Sequence, residues 1–270
     1  GEGGRPFERA SAAAPAGGTP EGVPRMPDGK PNLQGVFSTF GARGGGRGGG
    51  RGAAASVAGA LPTTPTLKPG MESYRVVRNP NEIVSDCVVG SVPPSFGPYS
   101  FQIIQTPEYA VIFYEYMHLF RIIPLDGGPH QPGESWMGDS VGHWEGDTLV
   151  VDTVGFNLKS TVGGTGDRHQ PYRHSEQLHM VERIRRIDRN TLEIETTLED
   201  HKVFEGPWRT VGRYAYHPEF KRVRAIAHGA IVEIGEDVAL FGHESIVFRQ
   251  QDNGLPVWAL ARAPSTGAAM

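Results

Sequence analysis

From about residue 96 onward, the chain is built of short runs in which apolar and polar residues alternate. These runs are rich in aromatic and β-branched side chains, a composition and a period that are typical of half-buried strands. No stretch of twelve or more residues repeats its apolar positions every 3.6 residues, so long amphipathic helices are not expected. The pattern predicts strands at 101–106, 109–123, 136–144, 148–154, 177–187, 191–198, 209–217, 220–227, 231–234, 239–248 and 257–260.

Many short strands separated by turn residues predict an all-β domain over residues 96–262. Two architectures fit this pattern, an antiparallel barrel of the lipocalin type and a β-sandwich. The length of the domain and the number of strands favour the barrel.

The first 95 residues are rich in Gly, Pro and Ala, and predict a largely irregular leader. Its tract 41–60 holds three closely spaced arginines and no aromatic residue, which favours a solvated linker over a site for single-stranded RNA. Segment 35–40, GVFSTF, predicts a short strand that docks on the domain. Residues 263–270 predict a flexible tail.

Composition and charge exclude several classes of protein. Cys87 is the only cysteine, so neither an intrachain disulfide nor a cysteine-based zinc site can form. No run of about 18 apolar residues predicts a membrane span. Residues 1–70 hold eight Lys/Arg and four Asp/Glu, whereas the remainder holds 18 and 26. A folded part this acidic is a poor nucleic-acid binder, because phosphate contacts need clustered cations.

A tight turn at Gly146-Asp147 predicts the first hairpin. It would pair Glu145 with Thr148, Trp144 with Leu149 and His143 with Val150. One face, the more buried, would carry Trp136, Trp144, Leu149, Val151 and Thr153. The other would carry Asp139, His143, Val150 and Asp152. His143 would then lie diagonal to Asp152, in the arrangement of an imidazole that is oriented by a carboxylate.

The second predicted hairpin pairs 178–187 with 191–198. The length of its loop decides which side chains point to which face of the hairpin. A two-residue loop at Arg189-Asn190 would put Arg183 and Arg185 on the apolar face of the partner strand. A three-residue loop, 189–191, places both arginines beside Glu193, Glu195 and Thr197 on a solvated face, since a slip of one residue exchanges the faces. Burial and charge pairing favour the longer loop, whose core face is Leu178, Met180, Ile184, Leu192, Ile194 and Leu198.

The favoured register has one costly consequence. Glu182 and Arg186 point inward among apolar residues, where a charge is unstable without a partner. They would either pair with each other or bind a polar group of a ligand.

The run WMGDSVGHWEGDTLVVDTVGFN, residues 136–157, resembles a motif of a family of uncharacterised exported β-rich proteins from acidobacteria and proteobacteria. Segments 24–37, 101–127 and 174–200 and the step Gly206-Pro207-Trp208 are similar to the same family. The resemblance covers most of residues 96–210, while the Arg/Gly tract and the C-terminal part depart from it. It implies a periplasmic or extracellular protein and implies no established activity.

Ionisable residues on apolar strands are the first candidates for chemistry. Glu115, between Tyr114 and Tyr116, is either an acid that lines a cavity and serves in acid/base catalysis or the partner of Arg121 in an ion pair. His118 follows on the same strand. The catalytic candidates are therefore Glu115, His118 and Glu182. Tryptophans are most often core residues, yet they also suit an aromatic ligand. The ligand-binding candidates are Tyr114, Trp136, His143, Trp144, Asp152, Arg186 and Trp208.

Ten histidines invite a metal site, but no carboxylate follows them at a recognised ligand spacing. No cofactor is therefore predicted; if a metal is present, its ligands would be His130, His169 and His174. A serine-based triad is also disfavoured, because Ser140 lies on the face opposite His143.

Together these patterns predict an exported, barrel-like protein that binds a small apolar or aromatic molecule in its interior and applies acid/base chemistry to it. The first alternative is a non-catalytic extracellular structural protein whose leader mediates homo-oligomer assembly. The second is a metal-dependent hydrolase or oxidase. Neither nucleic acid nor a membrane span is expected.

Overall fold

A computed structural model describes residues 22–39, 64–76, 92, 100–115, 119–163 and 171–220, and the backbone of four later strands within 224–262. The predictions for the Arg/Gly tract 41–60 and the tail 263–270 lie outside these residues. The one helix in the described part of the chain is a single 3-10 turn, Glu72–Tyr74. The described structure is thus all-β, as predicted.

Nine strands form one antiparallel sheet in the order β4-β3-β2-β1-β9-β8-β7-β6-β5. The strands are β1 Gly35–Ser38, β2 Phe101–Gln105, β3 Tyr109–Tyr114, β4 Phe120–Pro124, β5 Asp139–Glu145, β6 Thr148–Val154, β7 His179–Arg186, β8 Thr191–Glu199 and β9 Trp208–Tyr216. β1 lies between β2 and β9, so a segment of the N-terminal region completes the sheet.

The two edge strands of this sheet, β4 and β5, contact each other and nearly close it into a barrel. The Gly127 amide donates to the Gly142 carbonyl at 3.0 Å across this seam. A Cβ atom on Gly142 would lie 3.0 Å from side-chain carbons of Ile123 and Leu125. Glycine at 142 therefore lets the edges approach, and the structure is barrel-like rather than a sandwich.

The last four strands are not members of this sheet. β10 Arg224–Ala227 pairs with β11 Ala230–Glu233, and β12 Glu244–Gln250 pairs with β13 Pro256–Arg262. Each pair is a separate two-stranded antiparallel sheet. The predicted strands of the C-terminal part therefore exist, but they form two separate hairpins instead of further strands of the nine-stranded sheet.

The described residues form two large apolar cores and a small third one around Val111 and Phe113. The first occupies the barrel interior and consists of Leu33, Phe37, Phe101, Ile103, Ala110, Ile112, Tyr114, Ile123, Leu149, Val151, Ile184, Leu192, Ile194 and Tyr214. The second consists of Val92, Phe156, Val162, Tyr172, Leu178, Met180, Leu198, Val203, Phe204 and Trp208, with Leu67 and Tyr74 packed against it. Parts of the first 95 residues thus contribute to both large cores.

The first predicted hairpin is confirmed in its register. Glu145 pairs with Thr148, and Trp144 with Leu149, around the Gly146-Asp147 turn. The prediction for Trp136 was wrong, because β5 begins only at Asp139. Trp136 lies in the preceding turn, where the Ser135 hydroxyl donates to the carbonyl of Gly138 at 2.9 Å.

The second hairpin has the predicted three-residue loop, but the loop spans residues 188–190 instead of 189–191. The Ile187 amide donates to the Thr191 carbonyl, and the Asp188 carboxylate accepts from the Asn190 amide and stabilises the turn. Because the two registers differ by two residues, every side chain keeps its predicted face. Arg183 and Arg185 are on the outer face, and Glu182 and Arg186 are buried.

The predicted strand over 109–123 is two strands. β3 ends at Tyr114 and β4 starts at Phe120, with the Tyr114 amide donating to the Leu119 carbonyl to close the hairpin. Glu115 stands at the start of this connection. His118 lies outside the described residues.

Candidate functional site

Inside the barrel, Arg121 from β4 and Glu182 from β7 form an ion pair with Nη1 and Oε2 2.6 Å apart. Their side chains are 2% and 1% exposed. Arg121 Nη2 also donates to the hydroxyls of Ser140 at 2.9 Å and Thr153 at 3.1 Å. The inward orientation of Glu182 and its need for a partner are confirmed. The partner is Arg121, not Arg186, because the closed sheet brings β4 and β7 together across the interior.

Two tyrosines adjoin this pair. Burial raises the pKa of Tyr114 to about 12, with the charge of Glu182 adding to the rise and that of Arg121 opposing it. Burial and the charge of Glu182 likewise raise the pKa of Tyr214. Burial lowers the pKa of Arg121, but the charges and hydrogen bonds of Glu182 and Tyr114 together outweigh this and hold it above the ordinary value. The guanidinium therefore stays charged and the phenols stay protonated near neutral pH.

The Arg121–Glu182 pair is also closed to solvent. Arg121 Nη1, Glu182 Oε2 and the Tyr114 hydroxyl each expose less than 1 Å² to solvent. A water-sized space beside any of these atoms would expose more of its surface. Glu182 therefore cannot reach a bound molecule in this structure, which argues for a structural role of the pair.

Glu115 was the other acid predicted to face the interior or to pair with Arg121, and this prediction was wrong. The Glu115 carboxylate accepts the Ser100 amide at 2.7 Å beyond the end of β3, half-buried, and it neither lines the interior nor pairs with Arg121. Arg186 does face inward, but it donates to the carbonyls of Asn32 and Arg189, and its guanidinium lies 4.6 Å from the Tyr216 ring centroid. Carbonyl groups and an aromatic ring thus replace the predicted carboxylate partner.

The tryptophans named as ligand-binding candidates do not meet at one place. Trp144 packs against the first core, with Lys30 Nζ 5.7 Å from its ring centroid. Trp208 is buried in the second core. Trp136 is half-buried in the turn before β5, and the side chain of Trp258 lies outside the described part. The structure does not bring these rings together as the lining of one pocket.

On the outer face of β5, β6 and β7, Asp152 binds two imidazoles. His179 Nε2 lies 2.9 Å from Asp152 Oδ2, and His130 Nε2 lies 2.9 Å from Asp152 Oδ1. His130 Nδ1 lies 2.9 Å from Asp139 Oδ2. These four residues, Asp139, His130, Asp152 and His179, are called the outer-face cluster below.

The register explains how the outer-face cluster assembles. Asp152 pairs with Val181, so His179 is its diagonal neighbour on β7, two residues along. His130 comes from the connection between β4 and β5, which folds back over the outer face. The predicted partner, His143, lies instead beside Glu145 with its Nε2 at 3.3 Å. The hairpin pattern correctly placed Asp152 on this face, but the register of β7 was needed to identify its histidines.

The electrostatics of the outer-face cluster favour the charged forms of Asp152 and His179. Partial burial opposes ionisation of Asp152, but the hydrogen bonds and charges of His179 and His130 outweigh it and hold its pKa below the ordinary value. The hydrogen bond to Asp152 raises the pKa of His179, with partial burial opposing. Both groups are accessible, since their side chains are 40% and 36% exposed.

The two histidines of the cluster differ in what they can do. His130 contacts a carboxylate through each ring nitrogen, Asp139 through Nδ1 and Asp152 through Nε2. It therefore fixes the connection to the sheet. His179 uses only Nε2, and its Nδ1 makes no hydrogen bond within the described part of the chain. When the proton is on Nε2, Nδ1 carries a lone pair that can accept a proton.

The metal-ligand prediction is not supported for the residues that can be placed. His130 belongs to the outer-face cluster, whereas His174 is buried with Ser160, and His169 lies outside the described residues. In the described part of the chain no group of three or more His, Cys, Asp or Glu residues could hold a metal ion.

No known protein family, curated protein or solved structure matches this chain. The site is therefore argued from its own geometry. In the residues that the structure describes, there is no helix long and apolar enough to cross a membrane.

Proposed function

We propose that the protein binds a small organic molecule on the outer face of β5–β7 and moves a proton on it, with His179 as the base. The observation that carries this proposal is the Asp152–His179 contact at 2.9 Å between two accessible side chains. A carboxylate on one imidazole nitrogen orients the ring and stabilises its cation, which is how a general base is prepared.

The chemistry follows from the tautomer. Neutral His179 donates a hydrogen bond from Nε2 to Asp152. Its Nδ1 accepts an acidic proton from the bound molecule. The imidazolium that results is stabilised by the Asp152 charge, and it returns the proton to another atom of the molecule or to water. Because a carboxylate raises the pKa of His179, the base is stronger than a free imidazole.

The proposal keeps the expected ligand, a small apolar or aromatic molecule, and moves it from the interior to the outer face. The dry Arg121–Glu182 pair supports this relocation, since the interior charges are closed to solvent. A nearly closed barrel supplies a rigid frame for the cluster. The proposed periplasmic or extracellular setting rests on the motif resemblance.

The test uses 5-nitrobenzisoxazole, an aromatic probe of general bases. Removal of the proton on C3 of its isoxazole ring breaks the N–O bond and yields a coloured cyanophenolate. We expect the wild-type protein to accelerate this ring opening and His179→Gln to lose at least about tenfold of the rate, because a positioned base contributes about 10²–10⁴-fold. Asp152→Asn should lower the rate while leaving the probe's apparent affinity unchanged.

The matched control is His201→Gln. His201 is an exposed histidine whose nearest carboxylate, Glu199, is 3.7 Å away, so it lacks a tightly bound orienting group. Its replacement should leave the rate unchanged. A wild-type rate equal to that of buffer, or an unchanged rate in His179→Gln, would overturn the proposal.

A further inference from the structure

A second constellation lies on the opposite part of the sheet, where β1 and β9 end. The hydroxyl of Ser38 is 2.7 Å from His217 Nε2, and His217 Nδ1 is 2.9 Å from a carboxylate oxygen of Glu219. A serine, an imidazole and a carboxylate are thus joined in the order of a nucleophilic triad, with the same ring nitrogens in the same roles. None of the three residues belongs to the outer-face cluster.

Local structure fixes the three residues. Ser38 is the last residue of β1 and pairs with Ala215 of β9, so His217 is its diagonal neighbour two residues along. The His217 amide donates to the Val36 carbonyl at 2.9 Å, which holds the chain after β9 against β1. Glu219 follows Pro218 in the turn that comes next, and reaches back to the imidazole.

One tautomer satisfies both hydrogen bonds of the His217 ring. If Nδ1 of His217 carries the proton, it donates to Glu219, and its Nε2 accepts the Ser38 hydroxyl proton. The hydrogen bond from His217 lowers the pKa of Glu219, so this carboxylate is ionised near neutral pH. Its negative charge would stabilise the imidazolium that forms when the Ser38 proton is transferred.

From this geometry we infer that Ser38 is the nucleophile of an esterase site for small acyl groups, with His217 as its base and Glu219 as the positioning residue. Ser38 is only 2% exposed, so the acyl group that it receives must be small. The His217 side chain is 15% exposed and Glu219 is 59% exposed, so the site is reached from the imidazole side.

The reaction needs only an ester and water. Ser38 Oγ bonds to the ester carbonyl carbon while its proton passes to His217 Nε2. The carbon–oxygen bond to the leaving group then breaks, and the leaving oxygen takes the proton and departs as an alcohol. Water attacks the acyl-serine, gives a proton to Nε2, and releases the carboxylic acid as Ser38 Oγ regains the proton.

The chain contains its own reference for this inference. Ser160 Oγ and His174 Nε2 are also 2.7 Å apart, but His174 Nδ1 bonds to the neutral backbone carbonyl of Ser175. Ser160 and His174 are 1% and 3% exposed. This pair lacks both the carboxylate and the exposed imidazole, so we assign it a structural role.

The decisive measurement is covalent labelling of the whole chain with a small fluorophosphonate. We expect a single adduct, located by peptide mass spectrometry on Ser38 and absent from Ser160. His217→Gln should slow labelling by about 100-fold or more, within the range of a positioned general base. Absence of an adduct on Ser38 in the folded wild-type protein would overturn the inference without any variant.

Hydrolysis of 4-nitrophenyl acetate tests the role of each residue. Ser38→Ala should reduce turnover to the slow hydrolysis that other side chains of the protein cause. The matched variant Ser160→Ala should keep the turnover of the wild type. Glu219→Gln should lower kcat by at least about tenfold with little change in KM, and Glu219→Asp should restore part of the loss. Equal turnover in Ser38→Ala and the wild type contradicts the inference and leaves the proposal for His179 untouched.

Discussion

The Arg121–Glu182 pair inside the barrel and the outer-face cluster around Asp152 use similar groups in opposite settings. Each holds a carboxylate at hydrogen-bonding distance from nitrogen atoms, of a guanidinium inside the barrel and of imidazoles outside it. The interior side chains are 2% and 1% exposed, whereas Asp152 is 40% exposed. Burial keeps the first pair in one charge state, while the second can exchange protons with solvent. Solvent access therefore separates a structural ion pair from a candidate site.

The largest expected effect comes from Glu182→Gln. It leaves the Arg121 guanidinium buried without its counter-charge, which should cost about 3–5 kcal/mol of unfolding free energy. Urea denaturation followed by circular dichroism measures the loss. The double variant Arg121→Met/Glu182→Leu is the control, because it removes both charges and should recover most of the stability. A loss below about 1 kcal/mol in Glu182→Gln would contradict the dry interior, where an unpaired charge is expensive.

The second prediction concerns Tyr114 at alkaline pH. Its pKa is raised by burial from 10.0 to about 12, so the phenol binds its proton more tightly in the folded state. The corresponding stability is complete below pH 10.0 and is lost as the pH rises toward 12. Ultraviolet titration of phenolate should show a late step that Tyr114→Phe removes. Ionisation of Tyr114 near pH 10 with the circular dichroism unchanged would contradict its burial beside Glu182.

Asp152→Asn should have a smaller effect on stability than Glu182→Gln. The groups are partly exposed, so the loss should be about 1 kcal/mol or less. The charge that raises the pKa of His179 is removed, and this pKa should fall toward 6.5. Proton NMR titration of the imidazole measures the change. An unchanged His179 titration would show that Asp152 does not orient this ring in solution.

The smallest expected effect is the pH dependence that the outer-face cluster contributes. His179 has a raised pKa, so its contribution is complete below 6.5 and is lost as the pH rises through the folded value. Asp152 has a lowered pKa, so its contribution is complete above 3.8 and is lost as the pH falls. The unfolding free energy of the wild type minus that of Asp152→Asn should therefore be largest between pH 3.8 and 6.5. A difference that grows above that window would contradict the assignment.

Part of the candidate chemistry could be predicted because it depends on local pattern. The alternation in β6 put Asp152 on the outer face, and the hairpin of β7 and β8 turned Glu182 inward, as the structure confirms. The identities of their partners could not be predicted. Arg121 meets Glu182 across the barrel interior, and His179 meets Asp152 only through the register of β6 and β7.

Other errors arose in the connections between strands, because a turn leaves no repeating pattern of apolar and polar residues in the sequence. The sequence from Tyr109 to Ile123 is rich in apolar and aromatic residues and contains no Gly, Pro, Asn or Asp, which hides the turn that begins at Glu115. Ser38 and His217 are 179 positions apart, and no spacing rule links them. They meet because β1 is inserted between β2 and β9.

The sequence by itself determined that this domain is made of strands and which side chains face inward on the two predicted hairpins. Side-chain alternation is a property of one strand and its neighbours along the chain, so it can be read from local order. Only the tertiary structure decided which residues meet: closure of the sheet brings Arg121 to Glu182 in the dry interior, and the register of β6 and β7 brings His179 to Asp152 outside. Closure and register depend on the packing of the whole barrel, so the pattern along one strand does not determine them.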